Sequence, residues 1–367
     1  MSSIPYVNLS AQWHDERHKL LPILERVMSS GQYVGGQEVE RFEVETGLAF
    51  GAKHIIALNS GTDALVCGLV AIGVRSGDEV ITPPNSFVAS TAAIVHLRAR
   101  PVFVDIGCDQ NIDPGLIERS ITKKTKAIMP VHLAGRMAAM EAICEIADRN
   151  GVTVLEDAAQ AAGSSLHGKS AGLWGQVGCF SAHPLKNLNA CGDAGFVATN
   201  DSVIAQRIRS MRNHGLVNRD TVERFGYVSR MDAVQAAILR YRLSVLHEVI
   251  RKRKNNVKIY RANLNSRAVY CPPDTKGEDN SWHTFVIQTE NRDELRKYLS
   301  NQGIETAIHY PIPIHLQPAA SDLGYQNGDF PETERQATRI LTLPVHQYLR
   351  QEQIETIVKA INNFFGS

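Results

Sequence analysis

Short apolar runs with little alternation take turns with segments of helical period along the first half of the chain. Ile55 to Leu58, Glu79 to Thr82, Pro101 to Asp105, Lys126 to Val131 and Val152 to Leu155 are such runs, each bounded by helical patterns. A strand covered on both faces has no need of a polar face, so β-branched runs spaced by helices predict an α/β fold built on a mostly parallel sheet. Ligands in such sheets sit beyond the carboxyl ends of the strands. Asn59 to Thr62, Phe87, His132 and Asp157 fall at those ends.

Ahead of the first strand, residues 10–30 and 37–49 read as helices joined by the glycine-rich turn Ser30 to Gly36, a plain helix connection. A helix follows Ser60-Gly61-Thr62, another follows Pro83-Pro84-Asn85, and others are expected from Pro114, over 137–149 and over 202–213. Gly178 to Ser181 and Phe196 to Thr199 predict two more strands, and a long basic helix runs from near Met231 to about Asn265. Beyond Pro272-Pro273 the pattern turns α+β, with strands at 282–289 and 304–309 and helices at 293–302, 331–340 and 351–365. The chain is therefore expected to divide into a large α/β domain, 1–245, and a small C-terminal α+β domain, 246–367.

Composition narrows the class. Lys and Arg number 39 against 38 Asp and Glu, a formal charge of +1. The one block of like charge, Arg251-Lys252-Arg253-Lys254, reads as a solvated helix face, so neither nucleic acid nor membrane is favoured as a partner. Six scattered cysteines without a Cys-x-x-Cys pair point to reduced thiols, with neither a disulfide frame nor a metal site. Met1 to Asn8 has no basic region leading into an apolar core, and no apolar run approaches the roughly 18 residues that span a bilayer. A cytoplasmic protein is expected.

The candidate chemistry lies in Gly178 to Gly195, where Lys186 stands in a constrained loop between two strands. Most lysines are solvated. The earlier run Val154-Leu155-Glu156-Asp157 changes the weighing, because it ends a strand in an acid. A loop lysine and a strand-end acid are what pyridoxal phosphate requires: the amine forms a Schiff base and the carboxylate keeps the pyridine nitrogen protonated. Ser60-Gly61-Thr62 opens a helix, where free N–H groups suit an anion, although such residues also serve as ordinary caps. His132 suits a packed core position nearly as well as a site.

In this order and spacing, Asn59-Ser60-Gly61-Thr62-Asp63-Ala64-Leu65, Glu156-Asp157-Ala158-Ala159-Gln160, Pro184-x-Lys186-Asn187-Leu188, Arg212-Asn213-His214-Gly215, Ser229-Arg230-Met231-Asp232 and His309-Tyr310-Pro311-x-Pro313-x-His315-Leu316 resemble the DegT/DnrJ/EryC1/StrS sugar aminotransferases. The resemblance spans nearly the whole chain. It implies a fold-type I enzyme with a mostly parallel seven-stranded sheet, dependent on pyridoxal phosphate and assembled as a homodimer with composite sites. It implies that Lys186 forms the Schiff base and carries the proton, that Asp157 holds the ring nitrogen protonated, and that Gln160 meets the ring 3-hydroxyl. Phe87 would stack on the ring, Gly61, Thr62 and Ser181 would hold the phosphate, and His309, His315 and Arg230 would face the sugar.

Two departures stand out. Where many members carry an asparagine for the neighbour's phosphate, this chain has Val228, with Asn189 or Asn213 as possible substitutes. The wording His183-Pro184-Leu185 and Asn189-Ala190-Cys191 resembles the branch that aminates an eight-carbon keto sugar acid, the 8-amino-3,8-dideoxy-octulosonate transaminases. The expected activity is transfer of an amino group from glutamate to a keto sugar by ping-pong kinetics. A dehydratase of the same fold carries histidine in place of the lysine, which Lys186 argues against. A non-catalytic regulator has no need of a Schiff-base amine.

Overall fold

A computed structural model describes residues 3–366; Met1 and Ser2, part of the N-terminal stretch read above, and Ser367 lie outside the described residues. Helices α1 (Leu9–Ser30) and α2 (Gln37–Phe50) precede β1 (His54–Leu58), after which helices and strands alternate: α3 (Gly61–Ala71), β2 (Glu79–Thr82), α4 (Val88–His96), β3 (Arg100–Phe103), β4 (Thr125–Ile128), α5 (Met140–Asn150) and β5 (Thr153–Asp157). A short hairpin, β6 (Ser165–Leu166) and β7 (Lys169–Ser170), leads to β8 (Val177–Ser181), β9 (Gly195–Thr199) and α6 (Ser202–Met211). Helix α7 (Ala233–Asn263) then runs unbroken through residue 245 into the C-terminal part. That part holds β10 (Glu278–Asp279), β11 (Phe285–Gln288), α8 (Arg292–Asn301), α9 (Pro331–Arg339), β12 (Ile340–Leu343) and α10 (Gln351–Phe364).

The main sheet has seven strands in the order β1-β9-β8-β5-β4-β2-β3, and only β9 runs against the others. Five of its strands are buried almost end to end, as their unalternating sequences require, while β3 and β4 are open at their starts. On one side, Phe180 stacks on Phe196 at 4.7 Å, and Phe42 and Phe50 pack against that pair. The other side is closed by Leu65, Leu69, Ile94 and Val177. A separate core, including Tyr260, Phe285, Leu295, Leu341 and Ile357, lies around the antiparallel β11–β12 pair.

Three expectations are corrected. The helix expected from Pro114 is two three-residue 3₁₀ turns, Pro114–Leu116 and Glu118–Ser120, because the run between Pro114-Gly115 and the β-branched Ile121-Thr122 is too short to propagate. The strand expected at 304–309 makes only single bridges, Ile304 to Ile4 and Ala307 to Thr342, while Ile340, taken above as the end of a helix, opens a strand, Ile340–Leu343, that was not expected. The basic block on α7 is not a uniformly solvated face: Arg251 and Lys252 are exposed, but Arg253 is buried. Its neighbours explain this, since Leu246, Ile250, Val257 and Tyr260 recur at three- and four-residue intervals and put position 253 on the inward stripe. Among the described residues no helix is long and apolar enough to cross a membrane.

Candidate active site

Strand register brings the site together. Gly195 of β9 lies opposite both Leu58 at the end of β1 and Ser181 at the end of β8, while β8 in turn pairs Cys179 with Asp157 at the end of β5. The carboxyl ends of β1, β8 and β5 and the start of the antiparallel β9 therefore share one edge, with Lys186 in the β8–β9 loop above them. A cavity of about 340 Å³ opens there. Gly61, Thr62, Phe87, Asp157, Gln160, Ser181, Lys186 and His309 line it together.

Glu156 and Asp157 are adjacent acids sent to opposite sides of β5 by strand alternation. Glu156 points into the protein, where it accepts hydrogen bonds from the backbone N–H groups of Gly172, Trp174 and Gly175 and lies 2.9 Å from His132 Nε2. His132 is fully buried, its Nδ1 accepts from Ala138 N–H, and it does not line the cavity; it is a packed core histidine. Asp157 faces the cavity: Oδ2 accepts from Ser90 Oγ at 2.7 Å and Oδ1 from Ala159 N–H at 3.1 Å. Burial raises its pKa, and the Ser90 bond, the Ala159 bond, Lys186 and His132 oppose the rise. Burial lowers the Lys186 amine to about 8, against the pull of Asp157 in the other direction. Burial thus pushes both groups toward their neutral forms, and the attraction between them works against that push.

A second wall is built for an anion. Ser60 Oγ caps α3 by accepting from Asp63 N–H, and Ala64 N–H bonds Ser60 O, which leaves the N–H groups of Gly61 and Thr62 without a protein acceptor among the described residues. They open an eleven-residue helix, so its dipole adds to the two donors. The backbone is packed too closely to carry side chains. A methyl at Gly61 would lie 2.6 Å from Ser181 Cβ, and one at Gly195 would lie 2.3 Å from the Ser60 carbonyl.

Gln160 Oε1 accepts from Ala134 N–H at 2.8 Å, which turns its Nε2 toward the cavity, 3.3 Å from the Tyr310 hydroxyl. Phe87 is half exposed, with its ring 5.8 Å from that of Tyr310. His309 Nδ1 lies 2.9 Å from Thr342 Oγ1, and burial lowers the imidazole to about 4, so it is neutral. Sequence reasoning missed Tyr6, Ser90, Arg253, His283, Tyr310 and His346, all of which line the same cavity. Arg253 had a legible signal in the helical spacing of its apolar neighbours. Tyr6 had none, since it arrives through the bridge of Ile4 to Ile304 and the bond of its N–H to Glu305 Oε2.

Three expected site residues lie elsewhere in this chain. Asn189, expected at the cofactor, is buried away from the cavity and fully engaged: its amide exchanges two hydrogen bonds with Gln12 and donates a third to Pro184 O. His315 is turned inward by the 3₁₀ turn Ile314–Leu316, where its Nε2 lies 2.9 Å from Glu334 Oε1 and its ring meets Phe330. Arg230 is exposed and donates to Asn213 Oδ1. Beside it Val228 is half exposed and bridges Asn213 through the backbone.

The cavity combines a neutralisable amine, a buried carboxylate, a flat aromatic wall and a bare helix start. An aromatic heterocycle bearing an anionic tail matches all four, and pyridoxal phosphate is such a group: its protonated ring nitrogen would face the carboxylate of Asp157.

Comparison with known proteins gives the same answer. A family model described as the DegT/DnrJ/EryC1/StrS aminotransferase family matches residues 14–362. Among curated relatives, a pleiotropic regulatory protein from Geobacillus stearothermophilus is 40% identical over 367 residues, covering 99% of each chain. The dTDP-3-amino-3,4,6-trideoxy-alpha-D-glucose transaminase of Streptomyces venezuelae is 38% identical over 363 residues, covering 98% of this chain and 96% of its own. Among solved structures, S. venezuelae DesV in complex with a ketimine intermediate superposes with a TM-score of 0.97 at 38% identity and 99% coverage of both chains. NtdA from Bacillus subtilis with bound cofactor PMP has a TM-score of 0.93 at 31% identity, covering all of this chain and 86% of that one.

Proposed function

The chain belongs to the DegT/DnrJ/EryC1/StrS aminotransferase family, and from that premise we propose that it moves an amino group from glutamate to a keto sugar, in the cytoplasm, for amino-sugar biosynthesis. It is a sugar aminotransferase dependent on pyridoxal phosphate. The observation that carries the reading is the meeting of Lys186 and Asp157 in one cavity with the bare helix start at Gly61 and Thr62.

Bound pyridoxal phosphate supplies a carbonyl that exchanges with amines and a ring that stores an electron pair. The chain's own residues do the remainder. Gly61 and Thr62 N–H groups and the Ser181 hydroxyl would hold the phosphate, since Ser181 Oγ already accepts from His183 N–H and keeps its own proton to donate. Asp157 would keep a proton on the ring nitrogen, with Ser90 and Ala159 fixing its carboxylate. Gln160, its oxygen tied down by Ala134, would offer Nε2 to the ring oxygen. Phe87 would cover one ring face.

Lys186, with its amine lowered to about 8, is partly neutral near neutral pH and so able both to attack and to carry a proton from one carbon to another. His309 would face the sugar as a neutral hydrogen-bonding group, its Nδ1 side held by Thr342. Arg230 would act only in a two-fold dimer with composite sites, for which Phe225, Tyr227 and Val228 leave an uncovered apolar loop beside it. A regulatory role, the name carried by one relative, gives no use for a lysine and an aspartate in this arrangement.

Purified protein loaded with pyridoxal phosphate should show a visible absorbance band that glutamate shifts, and Lys186→Ala should lose it. The loaded protein should then aminate one member of a panel of nucleotide-linked keto sugars and free eight-carbon keto sugar acids. A protein that takes up no cofactor would overturn the reading.

A further inference from the structure

We propose that Arg253 is the carboxylate-binding corner of this cavity, receiving a carboxylate from the substrate: that of a dicarboxylic amino donor or that of an acidic sugar. The inference rests on the reading of the cavity as an aminotransferase site.

The other buried arginines each have an acid beside them. Arg136 has Glu278 at 3.3 Å, Arg242 has Glu16 at 2.6 Å and Arg292 has Asp293 at 2.6 Å. Arg253, 7% exposed, has no carboxylate partner among the described residues. Its Nη1 donates to the carbonyls of Trp282 and His283, and its Nη2 to Gln347 Oε1. Those are three acceptors for five N–H donors, and Nε is buried without a partner. Leaving a buried charge uncompensated costs several kcal/mol in general, so a structure that keeps one is completed by an anion from outside.

The groups around the guanidinium do not supply that anion. Tyr6 and Tyr348 are phenols whose pKa values burial raises, so both stay neutral. His283 and His346 are held below the usual imidazole range by burial and by Arg253 itself. Asp157, the buried acid of the cavity, is matched by Lys186, and the bare start of α3 is a separate anion wall. The positive charge at Arg253 therefore remains after cofactor and lysine are accounted for. A guanidinium with free N–H donors, between imidazoles, in a cavity wall, selects a planar carboxylate.

The test uses protein loaded with pyridoxal phosphate and two unreactive probes, glutarate for the dicarboxylic donor and glucuronate for the acidic sugar, each measured by calorimetry beside glutaramide as an uncharged analogue. Wild type should bind at least one acid about tenfold or more tightly than glutaramide. Arg253→Gln should weaken that acid by about ten- to hundredfold, the size expected for hydrogen bonds to a charged group, and leave glutaramide unchanged. Loss confined to glutarate assigns the corner to the amino donor, and loss confined to glucuronate assigns it to the sugar. The cofactor absorbance of each variant reports that the site is intact, and Arg253→Lys, which keeps the charge, should lose less. Wild-type protein that binds glutaramide as tightly as both acids overturns the proposal without any variant, as does a loaded Arg253→Gln protein with unchanged affinities. Failure to take up cofactor would instead sink the aminotransferase reading, and acid preference can still be measured on that protein by thermal shift.

Discussion

Replacing Asp157 by asparagine separates charge from shape at the centre of the site. Asparagine can accept from Ala159 N–H through its oxygen, as Asp157 Oδ1 does at 3.1 Å, and donate to Ser90 Oγ, which now donates to Oδ2 at 2.7 Å. Packing is therefore kept and the negative charge is lost. In cofactor-free protein, burial raises the pKa of this carboxyl above its ordinary value, so its contribution favours folding at low pH and is lost as pH rises through the folded value. Relative to the variant, cofactor-free wild type should weaken as pH climbs from about 4 toward neutrality. Asp157→Asn should then be as stable as wild type or more so.

With cofactor the sign reverses. A hydrogen bond between charged partners contributes about 1.5–3 kcal/mol, which is about a 10- to 150-fold loss of affinity for pyridoxal phosphate when the charge is removed. Urea unfolding of both cofactor-free proteins across that pH range, with a cofactor titration followed by fluorescence, measures both sides. The reasoning is refuted if the variant is less stable than wild type by more than about 1 kcal/mol near neutral pH while binding cofactor equally tightly.

Two further outcomes follow from the same geometry. The rate at which cofactor-free protein captures pyridoxal phosphate should rise with pH through about 8 as the Lys186 amine loses its proton, and its folding stability should rise between about 8 and the ordinary 10.5, where the unfolded chain binds one proton more than the folded one; both trends should vanish in Lys186→Met. Gly195→Ala puts a methyl 2.3 Å from the Ser60 carbonyl, which is backbone and must move, so it should cost about 1–3 kcal/mol in binding pyridoxal phosphate and much less in binding unphosphorylated pyridoxal, as read by paired titrations.

Much of this was legible in the chain itself. The main sheet could be read because most of its strands are buried on both faces and so are written in apolar runs, Asp157 because it stands where such a run ends, and Lys186 because it stands in the constrained loop between two of them. The β11–β12 pair was harder: Ile340–Leu343 follows α9 without a break, and four residues carry too little periodicity to tell strand from helix end. Arg253 was hidden by its company, since three basic neighbours suggested solvent where the spacing of Ile250, Val257 and Tyr260 indicated the interior. Tyr6, His283 and His346 come from three distant segments, and only tertiary packing brings them to one wall.

Helix α7 carries a consequence of its own. Its early residues pack beside α1 and α2, and its later ones deliver Arg253 to the cavity and Tyr260 to the C-terminal core. One rod thus ties the N-terminal helices to a pocket wall and to the C-terminal core, and the tie is angular. A single residue inserted between Leu246 and Ile250 would turn everything downstream by about 100°, carrying the guanidinium out of the pocket although no residue of the site had been altered. Insertions along this rod keep the guanidinium at the pocket only in near-whole turns, so the phase of α7 fixes where that charge stands relative to Lys186.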